Sequence, residues 1–177
     1  MSSRPGLRWL ALSLAVVAID QLTKGYAREV LQFREPVVVL PMLSLTLTYN
    51  PGAAFSLLSE AGGWQRWLLA GIALAVSVGL VVWLVRLPAG SGRWLPVALS
   101  LVLGGALGNL WDRIALGVVV DFVDVHWGPH HWPAFNVADS AVTVGAAILI
   151  AVSFRPERGA PPRAGRSKRG AADNASR

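Results

Sequence analysis

The 177-residue chain contains no cysteine. That excludes disulfides, a thiolate nucleophile and cysteine-based metal sites. Charge is scarce as well: 15% of residues are Asp, Glu, Lys or Arg, against roughly 25% in soluble domains. Carboxylates are the scarcer sign, 10 against 16 cations. Apolar residues fill the difference, at 54% of the chain with a mean hydropathy of +0.50. Long apolar runs with so few charges describe an integral membrane protein. The net charge of +6 does not point to nucleic acid. Most of the excess sits in the C-terminal tail, and the rest brackets the apolar runs as a topology signal does.

Four stretches are apolar enough to span a bilayer, at about 7–26, 64–85, 94–111 and 137–154, since a span needs about 20 such residues. The first has Arg4 and Arg8 ahead of its apolar core, like a secretory signal peptide. It runs into Asp20, Gln21 and Lys24 with no small-x-small cleavage site, so a permanent span is expected. Arg4 and Arg8, then Arg86 and Arg93, then Arg155, Arg158, Arg163, Arg166, Lys168 and Arg169 fall on one side of a four-span arrangement. That side is expected to be the cytoplasm, with both chain ends in it. Trp9, Trp64, Trp67, Trp94, Trp127 and Trp132 lie near the expected interfaces. The opposite face carries a β-branched, alternating segment at about 33–48, read as short strands broken by Pro36 and Pro41. One membrane domain over 1–154 is expected, followed by a basic, disordered tail at 155–177 that can touch anionic headgroups.

Carboxylates beside hydrocarbon are costly, which makes each a functional candidate. Asp121 follows the valines at 118–120, and Asp139 stands in FNVADSAVTVG at the mouth of the last apolar stretch. Two carboxylates converging on one pocket cannot both ionise easily, which is the electrostatics of an aspartic protease. Asp124 is close in sequence, but on a strand it would point away from Asp121. Asp139 has a structural reading too, at position N3 of a helix capped by Asn136. The helix end would favour its ionised form, and a neutral Asp121 beside it would complete an acid–base pair, with the choice of protonated member left open.

Asp20 and Lys24 are spaced to pair along one helix face, and an orienting ion pair is the simpler reading for them. Asn50 sits in TYNPGAAFS, either a plain turn or a substrate-facing loop in which Ala53 and Ala54 permit close approach. Gly104, Gly105 and Gly108 form a small-residue packing face. Asn109, Asp112 and Arg113 follow within five residues, dense enough for a polar network. His126, His130 and His131 interleave with Trp and Pro, and no HExxH occurs, so an interfacial loop or flap at 127–134 is expected and no metal. Ser56 and Ser140 lack a GxSxG or serine–lysine setting.

Taken in order, DQLTK (20–24), NPGAAFS (50–56), GNLWDRI (108–114), VVDF (119–122) and FNVADSAVTVG (135–145) resemble the blocks of the bacterial lipoprotein signal peptidases, signal peptidase II. Trp111 stands where an aliphatic residue is expected. The resemblance implies a membrane α-helical fold of four transmembrane helices with a small extracytoplasmic β-cradle. It implies an aspartic endopeptidase of the bacterial inner membrane that removes signal peptides from diacylglyceryl-modified prolipoproteins, cutting before the lipidated cysteine. It implies Asp121 and Asp139 as the catalytic pair. Asp20, Lys24, Asn50, Gly105, Asn109, Asp112, Arg113 and Asn136 would support the pair or bind substrate. No cofactor is called for, a monomer suffices, and the partners are the prolipoprotein and membrane lipids.

Two other classes compete. A proton-coupled transporter would use Asp20, Lys24, Asp112 and Asp139 as a relay spread through the membrane depth. A scaffold would account for the glycine face but not for acidic and amide groups gathered at one depth.

Overall fold

In the computed structural model, residues 6–52, 62–88 and 90–154 are described. A 3-10 turn at Leu7–Trp9 leads into α1 (Leu10–Val30). Strands β1 (Val37–Leu40) and β2 (Leu43–Asn50) follow, then α2 (Trp64–Val85) and α3 (Trp94–Ala115). Strands β3 (Val119–Trp127) and β4 (His130–His131) precede α4 (Val137–Ser153). The helices are longer than the expected spans where polar residues extend them: α1 passes Tyr26 to reach Val30, and α3 passes Trp111 to reach Ala115.

Helix α3 packs against α1, α2 and α4. Half of its most apolar window is buried, against 17% for α2. Close packing rests on its glycines. A Cβ on Gly104 would lie 2.7 Å from the Val16 Cβ of α1. One on Gly105 would collide with the Ala138 carbonyl of α4. Helices that lack a hydrophobic drive for association pack through such small residues.

The bundle is apolar outside and buries polar groups among apolar ones. Helix α1 turns Leu14, Ile19, Leu22 and Tyr26 outward and buries Ser13, Asp20 and Lys24. Helices α2 and α3 are long and apolar enough to cross a membrane. Helix α4 is apolar over 17 residues, and α1 carries Asp20, Lys24, Arg28 and Glu29 in its second half.

One end of the bundle is closed by leucines. Leu84, Leu87 and Leu99 are buried there, with Trp9, Leu10, Leu80, Leu95 and Leu149 packed around them. The other end carries a four-stranded antiparallel sheet in the order β1-β2-β3-β4. Pro41 lies in the turn between β1 and β2, where a missing N–H costs no ladder bond. Ser44 pairs with Asp124 and Thr48 with Asp121, with a register shift between Leu45 and Thr48. A bulge of this kind re-aims side chains along a strand.

The segment expected to be a loop or flap at 127–134 contains a short hairpin. His126 pairs with His131 and Trp127 with His130. The chain then runs back along β3, with the Trp132 N–H donating to the Val125 carbonyl at 2.8 Å and Phe135 bridging Val123. Periodicity could not reveal this, because β4 is only two residues long. Ala53 and Ala54 of the expected loop, Ser56 and the basic tail lie outside the described residues.

Candidate active site

The site forms where the C-terminal halves of α1 and α3, the N-terminus of α4, and β3 meet below the sheet. Its foundation is a buried ion cluster. Lys24 Nζ lies 2.8 Å from Asp20 Oδ2 and 2.9 Å from Asp112 Oδ2, with all three side chains almost wholly buried. It also donates to Asn109 Oδ1 at 2.9 Å. One ammonium thus fills its three donor positions with acceptors from α1 and α3. Gly108 leaves the space in which Asp20 sits, since a Cβ there would lie 2.6 Å from Asp20 Oδ2.

Both acids of this cluster use their second oxygen or remaining lone pairs to hold backbone. Asp20 Oδ1 accepts the Ala138 N–H at 2.8 Å, an orphan donor in the first turn of α4. Asp112 Oδ2 accepts the Val120 N–H at 3.1 Å. Ala138 immediately precedes Asp139, and Val120 immediately precedes Asp121. The ion cluster therefore fixes the backbone one residue ahead of each candidate aspartate.

Asn136 joins the two directly. Its side-chain amide donates to Asp121 Oδ1 at 2.7 Å and to the Val120 carbonyl at 3.2 Å. Its side-chain oxygen accepts the Asp139 N–H at 2.9 Å, and its own N–H donates to Asp139 Oδ2 at 3.3 Å. This capping box is the structural role expected for Asp139, and it leaves the other carboxylate oxygen facing the site. That oxygen, Oδ1, accepts from Asn109 Nδ2 at 2.8 Å. Asn50 supplies a further side-chain hydrogen bond to Asp121 and accepts the Gly52 N–H at 3.0 Å to close its turn. Arg113 donates to the Gly52 carbonyl at 3.1 Å and to the Asn109 carbonyl at 3.3 Å. Its charge lies in the field of Asp139, Asp121 and Asp112.

Asp121 is 3% exposed. Burial, and then the charge of Asp139, push its carboxyl up to about 7, while hydrogen bonds from Asn136 and Asn50 and the charge of Lys24 pull the other way. A carboxyl held there is available as an acid near neutral pH.

All ten residues named from the sequence thus sit in one connected cluster, with Gly105 admitting the first turn of α4. Gln21 was not among them. Its amide donates to Asp20 Oδ2, the Gly108 carbonyl and Asp112 Oδ1 at 3.1, 3.2 and 2.9 Å. Its position beside Asp20, inside an otherwise apolar stretch, was the available signal. Asp124 faces elsewhere, accepting from Thr46 at 3.1 Å and lying 2.8 Å from His131 Nδ1. His126 Nε2 lies 3.1 Å from Ser44 Oγ, and His130 is exposed. Asp124 and His131 line an open groove of about 440 Å³ with Thr46, Thr48 and Trp132.

The family model for signal peptidase (SPase) II matches residues 12–155, which take in all of α1 but its first two residues and every later element through α4. The chain belongs to the signal peptidase II family. The lipoprotein signal peptidase of Pseudomonas putida is 56% identical over 161 residues, covering 88% of this chain and 92% of that protein. That of Acinetobacter baylyi is 51% identical over 152 residues, covering 86% and 84%. A solved bacterial membrane enzyme, determined in meso at 2.3 Å resolution, superposes with a TM-score of 0.74 at 30% identity, covering 87% of this chain and 94% of its own. A second, at 1.9 Å resolution, gives 0.71 at 30% identity, with 84% and 93% covered. This is a membrane enzyme family, helical with a small antiparallel sheet.

Proposed function

We propose that this chain is an aspartic endopeptidase that removes signal peptides from diacylglyceryl-modified prolipoproteins, with Asp121 and Asp139 as the catalytic pair. The observation that carries the reading is Asn136, which donates to Asp121 Oδ1 with its side chain and boxes Asp139 with its side chain and backbone. Membership of the signal peptidase II family supports the substrate class.

Asp139, accepting two N–H donors at a helix N-terminus, is the ionised member. Asp121, held up to about 7, is the protonated one. Asp139 takes a proton from water as its oxygen attacks the carbonyl carbon before the lipidated cysteine. Asp121 gives its proton to the carbonyl oxygen, which forms the tetrahedral gem-diol. As the C–N bond breaks, Asp139 passes its proton to the leaving amine, and Asp121 recovers one from the gem-diol hydroxyl. Each aspartate returns to its starting form, so the pair suffices without a metal or organic cofactor.

The four helices span the bacterial inner membrane with both chain ends in the cytoplasm. The sheet and site lie at the extracytoplasmic face, and the chain works as a monomer. Residues 1–154 form the membrane domain, and the basic tail follows it. Burial supports an interfacial enzyme over a relay through the membrane: the buried charges among the described residues are Asp20, Lys24, Asp112, Asp121 and Asp124, all at the sheet end. The test is a gel-shift cleavage assay on a lipidated prolipoprotein in detergent, comparing the wild type with Asp121→Asn and Asp139→Asn. Cleavage by the wild type alone is expected. A folded wild type that leaves confirmed lipidated substrate intact would overturn the reading.

A further inference from the structure

Arg66 stands in the first turn of α2, next to Trp67, and belongs to none of the sequence blocks above. A cation is poorly placed there for its own helix, because the N-terminal end of the helix dipole is positive. Its guanidinium leaves that helix and reaches the end of α3 instead. Nε donates to the Arg113 carbonyl at 2.6 Å, and Nη2 donates to the Ile114 carbonyl at 2.7 Å. These belong to the last carbonyls of a helix, which lack partners within it and carry the negative end of its dipole. The planar fork matches two adjacent acceptors in a way that an ammonium cannot.

Two further features hold the guanidinium in place. It lies over the Trp67 ring, 4.7 Å from the centroid. Gly117 also lies against it: its φ of +84° is strained for other residues, and an added Cβ there would sit 3.1 Å from Nη1. The clamp grips the backbone of Arg113 itself. The Arg113 side chain in turn donates to the Gly52 carbonyl in the turn closed by Asn50, which bonds Asp121.

We infer that Arg66 is a positioning residue of the peptidase, holding the Arg113 backbone so that its side chain fixes the Asn50–Gly52 turn against Asp121. The inference rests on the peptidase reading above, and it has a readout that does not. In Arg66→Ala, kcat on a diacylglyceryl-modified prolipoprotein falls about ten- to a hundredfold, while KM moves by less than about threefold, because the residue touches no substrate. Arg66→Lys restores only part of kcat, since it satisfies one carbonyl where arginine satisfies two. In a double-mutant cycle with Arg113→Lys the losses are not additive.

Independently of activity, amide hydrogen exchange speeds up at 114–117 and at 50–52 in folded Arg66→Ala. Wild-type kcat in folded Arg66→Ala, full rescue by lysine, or losses that simply add would overturn the inference. Exchange unchanged at both segments would overturn it even if no cleavage were seen in any variant, an outcome that would separately count against the peptidase reading.

Discussion

The two ends of this bundle are built on opposite principles. At one end Leu84, Leu87 and Leu99 fill space and make no directional contacts. At the other, Lys24, Asp20 and Asp112 are as deeply buried, yet almost every polar atom they bring has a named partner. Leucines can be exchanged for other shapes at moderate cost. A buried ion cluster tolerates no missing member, because the remaining charges are left in a medium that cannot solvate them. The difference separates a part of the molecule that sets stability alone from a part that sets geometry as well. The geometry is spent on the backbone beside Asp121 and Asp139.

The comparison can be broken first at the aspartates. Asp121→Asn and Asp139→Asn each lower turnover at least about 10³-fold, toward the upper range for an acid–base group, in protein that still binds detergent-solubilised lipidated substrate. A pull-down with that substrate and the cleavage gel together check it, and near-normal turnover in either variant would remove it from the pair.

Next is Lys24→Met. Removing the shared cation strands two buried carboxylates, at a cost of about 3–5 kcal/mol, read as a fall in thermal midpoint together with lost activity. If Lys24→Met kept both, the ion cluster would be dispensable and the contrast between the ends would fail.

Leu99→Ala sharpens the same contrast from the other side. Cavity formation costs about 2–4 kcal/mol, but activity per folded molecule stays at the wild-type level. Lost specific activity would show that the leucine end also sets geometry.

A smaller effect concerns pH. Asp121 titrates higher in the folded protein than in the unfolded chain, at about 7. Its folded state therefore binds more protons, and its contribution to stability is full below the ordinary carboxylate range and is lost as pH rises through about 7. Asp121→Asn should therefore raise the thermal midpoint at pH 8 by more than at pH 4, and an equal shift at both would contradict this.

The smallest change is expected on the outer sheet. His131→Gln removes a half-exposed partner of Asp124 and alters stability by about 1 kcal/mol or less, checked by the same melting curves.

Local sequence carried what local physics controls. The spacing of Asp20 and Lys24 announced their ion pair, and Asn136 followed by Asp139 announced the capping box. Pro36 and Pro41 marked the limits of β1. The alternation of Asp121 and Asp124 announced that they would look in different directions, and they have separate partners. What stayed hidden depended on distance along the chain. Nothing near Lys24 says that its second carboxylate is Asp112, and nothing near Asp112 says that it holds the Val120 N–H. The return of the chain along β3 after β4 was invisible because a few backbone bonds, rather than a hydrophobic period, define it. Arg66 was overlooked because its function lies at the end of another helix.

The Asp20–Ala138 hydrogen bond joins residues 118 positions apart. Its acceptor is made with the first helix and its donor with the last. While the chain is being synthesised, Asp20 and Lys24 can pair at once, but the N-terminus of α4 does not yet exist to be held. On the proposed reading, the anchor that orders the backbone beside Asp139 can form only once α4 has been made and has docked against α1.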